Sequence, residues 1–256
     1  MKYFLPTLSS KTTLKVMGAS SLAVAMAFVP VVSTFAVDST TPTTTQQTST
    51  EQTRLQDIIT KGTAEIDRRL ARLNTLSAKI TAATKLSTAD KTTLSNEVAS
   101  TISGLTALKT KLASETTLAG ARQDATEIYS DYRVYALVAP KIGLIRIADD
   151  QQAVEAKLTA LATKLQTRIT EAKQAGHDTT QLQSQLDDLT SKVTAAQAIS
   201  SKVESSVIGL QPTDYNSDHK ILSGYNDQLK TARTDNQAAF TDAKNIIASL
   251  KSLKNQ

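Results

Sequence analysis

Apolar residues recur along most of the chain in alternating steps of three and four positions, the spacing of one helix face packed along its length. We call such a face a seam. The first seam begins at Leu55 and runs to Ile80, with Arg69 as a polar member. Later seams have the same spacing, at Leu94, Val98, Leu105, Leu108 and Leu112; at Leu144, Ile147, Val154, Leu158, Leu161, Leu165 and Ala172; at Leu182, Leu186, Leu189, Val193, Ala196, Ile199 or Ser200, Val203 and Val207; and at Leu222, Tyr225, Leu229, Ala232, Asn236, Ala239, Ala243, Ile246, Leu250 and Leu253. The pattern predicts long α-helices.

Short polar connections separate the seams and carry helix-capping signals. Ser87 can cap a helix, and Asp90 three residues later can answer it as in a capping box. Gly176 suits the left-handed position after a helix end, and Asp178 can cap the next helix. Connections this short make neighbouring helices antiparallel. We therefore expect an all-α fold, an elongated antiparallel helical bundle of about six helices with coiled-coil-like heptad packing, over residues 54–256, with hairpins at 54–115, 117–140 and 141–208 and a final helix at 218–253.

A tyrosine-rich segment is the one compositional anomaly of the predicted bundle. Tyr129, Tyr132 and Tyr135 would sweep about 120° of a helix, the width of one buried face. We expect interior rings whose hydroxyls find partners at the bundle edge. The same segment is also the candidate contact or ligand region, made of Tyr129, Tyr132, Arg133, Tyr135, Pro140 and Lys141.

Two local structures are open around Pro140. Proline removes a backbone donor and disfavours helix at the residue before it, which favours a kink or short break. The alternative is a β-hairpin of residues 134–139 and 144–148, which would have little to pair with.

Asn236 is the one polar member of the last seam. A single Asn in a seam can fix register at a cost in stability. The alternative is that the seam meets water at Asn236.

The N-terminus has the pattern of an export signal. Residues 1–36 carry three lysines and then an uncharged apolar stretch, with Thr34 and Ala36 at a signal-peptidase site. We expect cleavage before Val37. The alternative is an uncleaved anchor, because the 22 uncharged residues from Val16 to Val37 can just span a bilayer. Residues 37–53 are rich in threonine and poor in apolar residues, which predicts a disordered linker.

Charge and aromatic content argue against nucleic acid as a partner. The full chain has a net charge of +5, but the leader contributes three lysines and no acid, which leaves +2 for the rest. The densest basic cluster, Arg68, Arg69 and Arg72, is interleaved with Glu65 and Asp67. The aromatics fall mostly at seam positions, where bases could not stack on them.

No constellation of residues points to catalysis, a cofactor or a metal. The chain has no cysteine, and its two histidines, His177 and His219, lie in different segments without a ligand partner at helical spacing. Asp149-Asp150 and Asp187-Asp188 are adjacent pairs whose side chains diverge by about 100° on a helix, which predicts solvated or helix-end charges. We expect a protein that is not an enzyme.

Three segments carry a resemblance to known proteins, namely the run Tyr132–Lys141, the preceding Ile102–Lys109, and Ala243–Ile247 near the C-terminus. They resemble an uncharacterised family of exported all-helical proteins from small-genome candidate-phylum bacteria. The resemblance implies an exported all-helical protein and provides no catalytic residues.

The sequence therefore predicts an exported, non-enzymatic bundle of the cell envelope or extracellular space with a structural or adhesive role. Its partner would be a protein or a cell surface, and membrane contact would come only through an uncleaved N-terminal segment. The alternatives are a solute- or lipid-binding bundle, with a cavity near Tyr129 to Tyr135, and a pore-forming toxin that inserts residues 134–148. The oligomeric state is left open.

Overall fold

The computed structural model describes residues 43–254, and this part of the chain is all-α, as predicted. Six long helices and one short helix occur there, together with one π-helical turn, and no strand lies among them. Their bounds are α1 Thr43–Ala82, α2 Thr88–Ala113, α3 Leu118–Ser130, the π turn Val134–Val138, α4 Ala139–Gln174, α5 Thr180–Val207, α6 Pro212–Ser217 and α7 Tyr225–Lys254. The predicted leader, residues 1–36, lies outside the described residues.

The first three helices pack against one another as a three-helix bundle. Asp67 of α1 bonds to Lys109 of α2, while Gly62 lies against Leu112. Residue numbers therefore fall along α1 as they rise along α2, so the two helices are antiparallel, as their short connection predicts.

Helices α4, α5 and α7 form a second three-helix bundle. Gln152 and Gln166 of α4 bond to Glu204 and Gln183 of α5, which makes these two helices antiparallel. All eight predicted seam positions of α5 are buried when Ser200 is taken as the sixth, at Leu182, Leu186, Leu189, Val193, Ala196, Ser200, Val203 and Val207.

One apolar core extends from the first bundle into the adjoining ends of α4, α5 and α7, and a second fills the rest of the α4–α5–α7 bundle. The start of α4 lies in the middle of the first core. Residues 134–148 are therefore largely buried, including Leu137, Ile142 and Ile145.

The helix ends follow the capping signals of the sequence. Ser87 Oγ accepts the Asp90 backbone N–H at 3.0 Å at the start of α2, and Gly176 has the left-handed φ of 90° after α4. Asp178 Oδ1 accepts the Thr180 N–H at 3.0 Å at the start of α5. Local turn chemistry was therefore readable from the sequence.

Two predicted boundaries were wrong. Helix α1 begins at Thr43, so the second part of the expected disordered linker, residues 43–53, is helical. Residues 48–54 of this helix are exposed and precede the buried Leu55. The last long helix begins at Tyr225 rather than at residue 218, because Gly224 adopts a left-handed φ of 83° that ends the preceding turns.

The break expected at Pro140 lies several residues earlier, and the β-hairpin alternative is wrong. Helix α3 ends at Ser130, and Arg133 has a left-handed φ of 34°. The π turn then leads directly into α4, with the Val138 N–H donating to the Arg133 carbonyl at 3.2 Å. Pro140 lies in the first turn of α4, where the fixed φ of proline is compatible with a helix.

The seam of α4 also differs from its prediction. Val154 was assigned to the seam but is 38% exposed, whereas Glu155 is 1% exposed and occupies the buried position. The buried series is Leu144, Ala148, Glu155, Leu158, Leu165 and Ile169. A charged residue in the seam concealed the true register.

Candidate functional site

The tyrosine-rich segment lies against α1 and α2, but its rings are not interior as predicted. Tyr129 is 51% exposed and Tyr135 is 48% exposed. Tyr132 alone is held between helices, since its ring fills the space beside Gly104 of α2, where a Cβ would lie 2.7 Å from the ring. Burial raises the pKa of the Tyr132 hydroxyl.

The two exposed rings cover a buried arginine of α1. The Arg69 guanidinium carbon lies 4.6 Å from the centre of the Tyr129 ring and 5.3 Å from that of Tyr135, and only 5% of Arg69 is exposed. Arg69 also pairs with Glu65, one helical turn earlier. A cation against aromatic faces contributes about 0.5–2 kcal/mol, more as it is desolvated. This explains the polar member of the first seam.

Beside this group a small cleft opens between α1 and the start of α4. Its volume is about 140 Å³. Apolar side chains line its interior, namely Leu76, Ile80, Leu86, Ala139 and Ile142, and three basic residues stand around it, namely Arg72, Lys79 and Arg146. An apolar cavity of about 150 Å³ can hold a benzene ring. The cleft therefore has room for one apolar side chain.

Gly143 lies at this cleft inside α4, at a position where no neighbouring atom requires a residue without a side chain. A Cβ placed on it would meet no atom within 4 Å, so the space over it is open. Glycine in a helix interior costs about 0.5–1 kcal/mol relative to alanine. Its effect here is to leave the backbone of α4 bare at the cleft.

The basic residues of this face differ in how far they are neutralised. Arg68 pairs with Glu65, and Arg146 with Asp150 at 3.5 Å. Among the described residues, no ion pair or hydrogen bond of the Arg72 or Lys79 side chain occurs. We call Arg68, Arg69, Arg72, Lys79, Arg146, Tyr129 and Tyr135 the Arg–Tyr face. It presents exposed aromatic surface and two free cations beside an apolar cleft.

The other predicted contact residues have structural roles. Lys141 is completely buried, and its Nζ donates to Glu97 Oε1 at 2.6 Å and to the Leu210 carbonyl at 2.8 Å. Arg133 Nε donates to Asn216 Oδ1 of α6 at 2.6 Å. Pro140 lies exposed in the first turn of α4. Of the six predicted residues, only Tyr129 and Tyr135 belong to the Arg–Tyr face.

Lys141 joins the two bundles electrostatically. It lies on α4, while Glu97 lies on α2 and Leu210 follows α5. Burial raises the pKa of the Glu97 carboxyl, and the hydrogen bond and charge of Lys141 oppose that rise. No local sequence pattern predicts this pair, because Glu97 and Lys141 are distant along the chain.

A second polar group at the bundle junction is a cluster of carboxylates. Oxygens of Asp90 in α2, Asp149 in α4 and Glu204 in α5 lie within 4.8 Å of one another. Asp149, predicted to be a solvated charge, is 5% exposed, and its Oδ2 accepts the Ser87 N–H at 2.9 Å. The distances would suit a cation, but Ser87 already bonds to both aspartates, so we assign no metal here.

Burial and neighbouring charge both act on Asp149. Burial is the larger cause, the charges of Asp90 and Glu204 add to it, and together they raise the pKa of Asp149 from 3.8 to about 6 despite the opposing bond from Ser87. The adjacent Asp150 is more exposed and pairs with Arg146 at 3.5 Å.

Asn236 belongs to a buried polar network inside the second bundle. It is 4% exposed, so of the two interpretations left open for Asn236, the one in which the seam meets water is wrong. Its Nδ2 donates to Gln151 Oε1 at 2.9 Å and to Glu155 Oε1 at 3.3 Å, and the Ser200 hydroxyl donates to the same Glu155 oxygen at 2.8 Å. Burial raises the pKa of Glu155, opposed by these two donors. The network fixes α7 and α5 against one turn of α4.

The remaining candidate groups stay apart. His177 lies in the α4–α5 turn, and His219 in the α6–α7 turn, where its ring centre is 5.2 Å from that of Tyr215. Asp188 pairs with Lys192, and Asp187 accepts a bond from Gln183. None of these side chains is part of the carboxylate cluster.

Comparison of the chain with protein-family models, with curated proteins and with solved structures gave no match. Among the described residues, no helix combines the length and apolar character needed to cross a membrane.

Proposed function

We propose that this chain is an exported, non-enzymatic helical-bundle protein that acts by protein contact, and that the Arg–Tyr face binds an acidic segment of a partner protein. The observation that carries the proposal is the pair of free cations, Arg72 and Lys79, beside an apolar cleft of about 140 Å³. The predicted export signal supports a place in the cell envelope or outside the cell. The resemblance of three segments to a family of exported all-helical proteins supports the same location.

The chemistry of the face favours an acidic peptide segment with one large apolar side chain. Free cations select carboxylates, and complementary charge gives specificity and speeds encounter. The cleft has the size of one apolar anchor. Tyrosine and arginine are also the residue types that dominate binding energy in protein interfaces, alongside tryptophan.

Contacts within the protein hold parts of the Arg–Tyr face in place. Arg69 is held by Glu65 and by two rings, and the cleft is framed by helices that belong to one core. A rigid face loses little entropy on binding, which favours affinity.

Fluorescence anisotropy with short labelled peptides tests the proposal. The probe is a glutamate-rich peptide with one central phenylalanine, and its controls are the same peptide with serine at the centre and a lysine-rich version. We expect binding of the first peptide, at least about tenfold weaker binding of the serine peptide, and no binding of the lysine-rich one.

Charge reversal in the protein supplies the second half of the test. Arg72→Glu with Lys79→Glu should weaken binding of the probe peptide at least about tenfold. The matched control is Lys157→Glu with Lys164→Glu, the same change of charge at two exposed positions on the second-bundle part of α4. Equal loss in both pairs would show attraction to net charge alone and would contradict a specific face.

A solute- or lipid-binding role is the second candidate. The cleft between α1 and α4 is too small for an acyl chain. An open groove of about 520 Å³ lies at the far end of α4 and α7, lined by Leu165, Ala172, Ile247, Leu250 and Leu253 among others. Native mass spectrometry of the purified protein would detect a retained lipid. Dye release from liposomes would test the pore-forming alternative, which requires residues 134–148 to leave the core.

A further inference from the structure

The carboxylate cluster stands where the two bundles meet, and it holds the α1–α2 connection. Asp90, Asp149 and Glu204 come from three different helices, and their oxygens lie within 4.8 Å of one another. Asp149 accepts the Ser87 backbone N–H at 2.9 Å across 62 positions of the chain. This N–H is the donor that the acid of a capping box normally satisfies within its own helix. Asp149 therefore takes that role from the other bundle.

The second aspartate completes the arrangement. Asp90 Oδ2 accepts the Ser87 hydroxyl at 2.9 Å, while the same hydroxyl oxygen accepts the Asp90 N–H at 3.0 Å. Ser87 thus touches both buried carboxyl groups, one from each bundle. Any change in the separation of Asp90 and Asp149 is transmitted directly to Ser87.

No cation compensates the three acids within residues 48–254. The nearby basic residues Lys85 and Arg146 pair with Asp150, at 3.9 Å and 3.5 Å, and the amide of Gln152 donates to Glu204. Asp90 and Asp149 are 6% and 5% exposed, so water screens them poorly. Three like charges at this distance repel one another, and a shared proton removes the repulsion.

We propose that the carboxylate cluster is a proton-operated latch on the α1–α2 connection. With a proton on Asp149, this carboxyl group donates to a neighbouring carboxylate of the cluster, its Oδ2 still accepts the Ser87 N–H, and the connection is held against α4. Without that proton the carboxylates repel, and the connection is released. The raised pKa of Asp149, about 6, places the change in mildly acidic to neutral solution.

The latch adjoins the cleft of the Arg–Tyr face. Leu86, which precedes Ser87, lines the cleft. Release of the connection would therefore loosen one wall of the cleft. Acidic conditions would favour the form in which this wall is held in place. This consequence rests on the proposed function, whereas the latch does not.

Hydrogen–deuterium exchange of residues 83–91 tests the latch without any ligand. Protection factors, corrected for the intrinsic pH dependence of exchange, are compared at about pH 5 and about pH 8 in the presence of EDTA. We expect at least several-fold higher protection at the lower pH in the wild type. Equal protection at the two pH values would overturn the proposal.

Two variants separate the latch from a merely structural contact. Asp149→Asn keeps an oxygen for the Ser87 N–H and removes the charge, so protection should be high at both pH values. Asp149→Ala removes the acceptor and should give low protection at both. A variant Asp149→Asn that keeps the wild-type pH dependence would also overturn the proposal.

Asp188→Asn is the matched control, because it changes an exposed aspartate of α5, the helix that carries Glu204, and its partner Lys192 lies on the same helix. It should leave the pH dependence of residues 83–91 intact. Because the readout is exchange in the free protein, failure of peptide binding would contradict the proposed function and leave the latch standing. Flat exchange with intact peptide binding would do the reverse.

Discussion

Replacement of Lys141 by methionine should destabilise the protein by about 3 kcal/mol. The side chain is completely buried where α2, α4 and the segment after α5 meet, and its ammonium group makes two short bonds, to Glu97 and to the Leu210 carbonyl. Methionine keeps most of the apolar stem and removes only the charge and the donors. The change therefore isolates the electrostatic part of the contact.

The expected magnitude follows from what is left behind. Removing one partner of a buried ion pair costs about 3–5 kcal/mol, because the other charge stays uncompensated. The Glu97 side chain is 20% exposed and can recover some hydration, which places the cost near the lower limit. The Leu210 carbonyl loses its donor as well, and an unsatisfied buried acceptor costs about 1–3 kcal/mol. These terms overlap, so we expect about 3 kcal/mol in total.

Urea denaturation followed by far-ultraviolet circular dichroism measures the loss, and a double-mutant cycle gives its cause. Glu97→Met alone leaves the buried ammonium unpaired and should cost a similar amount. The double variant, with neither charge, should be clearly more stable than the sum of the two losses. A loss below about 1 kcal/mol for Lys141→Met, or simple additivity in the cycle, would refute the reasoning.

Three further predictions concern glycines, pH and the buried network. Gly143→Ala should stabilise by about 0.5–1 kcal/mol, while Gly104→Ala should destabilise by about 1–3 kcal/mol because its Cβ would meet the Tyr132 ring; thermal unfolding of both variants checks the opposite signs. The raised pKa of Asp149 means that the folded state binds a proton there more tightly than the unfolded state does. The free energy of unfolding should therefore fall by about 1–3 kcal/mol as pH rises from about 4 to about 6. Asp149→Asn should flatten this dependence in urea titrations. Asn236→Leu should cost about 1–3 kcal/mol, because Gln151 and Glu155 lose a donor; a gain in stability on denaturation would contradict its place in the network.

The all-α fold could be read from the sequence because helix packing repeats at a fixed spacing. Every seam position of α5 that was predicted through apolar periodicity is buried, and Ser87 and Gly176 act as the local signals indicate. Such signals depend on residues within one helical turn. They need no knowledge of the tertiary structure.

The polar interior could not be predicted in the same way. Glu155 occupies a seam position that apolar counting gave to Val154, because its partners, Ser200 and Asn236, lie on other helices. Asp149 looked like a surface charge because its partner Ser87 is 62 positions away. Distance along the chain conceals pairs that only packing brings together.

The candidate site was found only in part. Two of the three tyrosines belong to the proposed Arg–Tyr face, whereas its free cations, Arg72 and Lys79, come from α1, and Lys141 is buried in the core. The left-handed Arg133 places the break ahead of the π turn, and the exposed rings of Tyr129 and Tyr135 lie against Arg69. A signal was present in Arg69, the polar residue in an otherwise apolar seam.

Chemical-shift mapping by nuclear magnetic resonance tests whether the Arg–Tyr face binds an acidic peptide. The glutamate-rich peptide with one phenylalanine is titrated into isotope-labelled protein, and backbone amide shifts are followed along the chain. We expect the largest shifts on Arg72, Lys79, Gly143 and Arg146, around the cleft of the Arg–Tyr face. Shifts spread over the exposed lysines of the second bundle, or no shifts at saturating peptide, would contradict it.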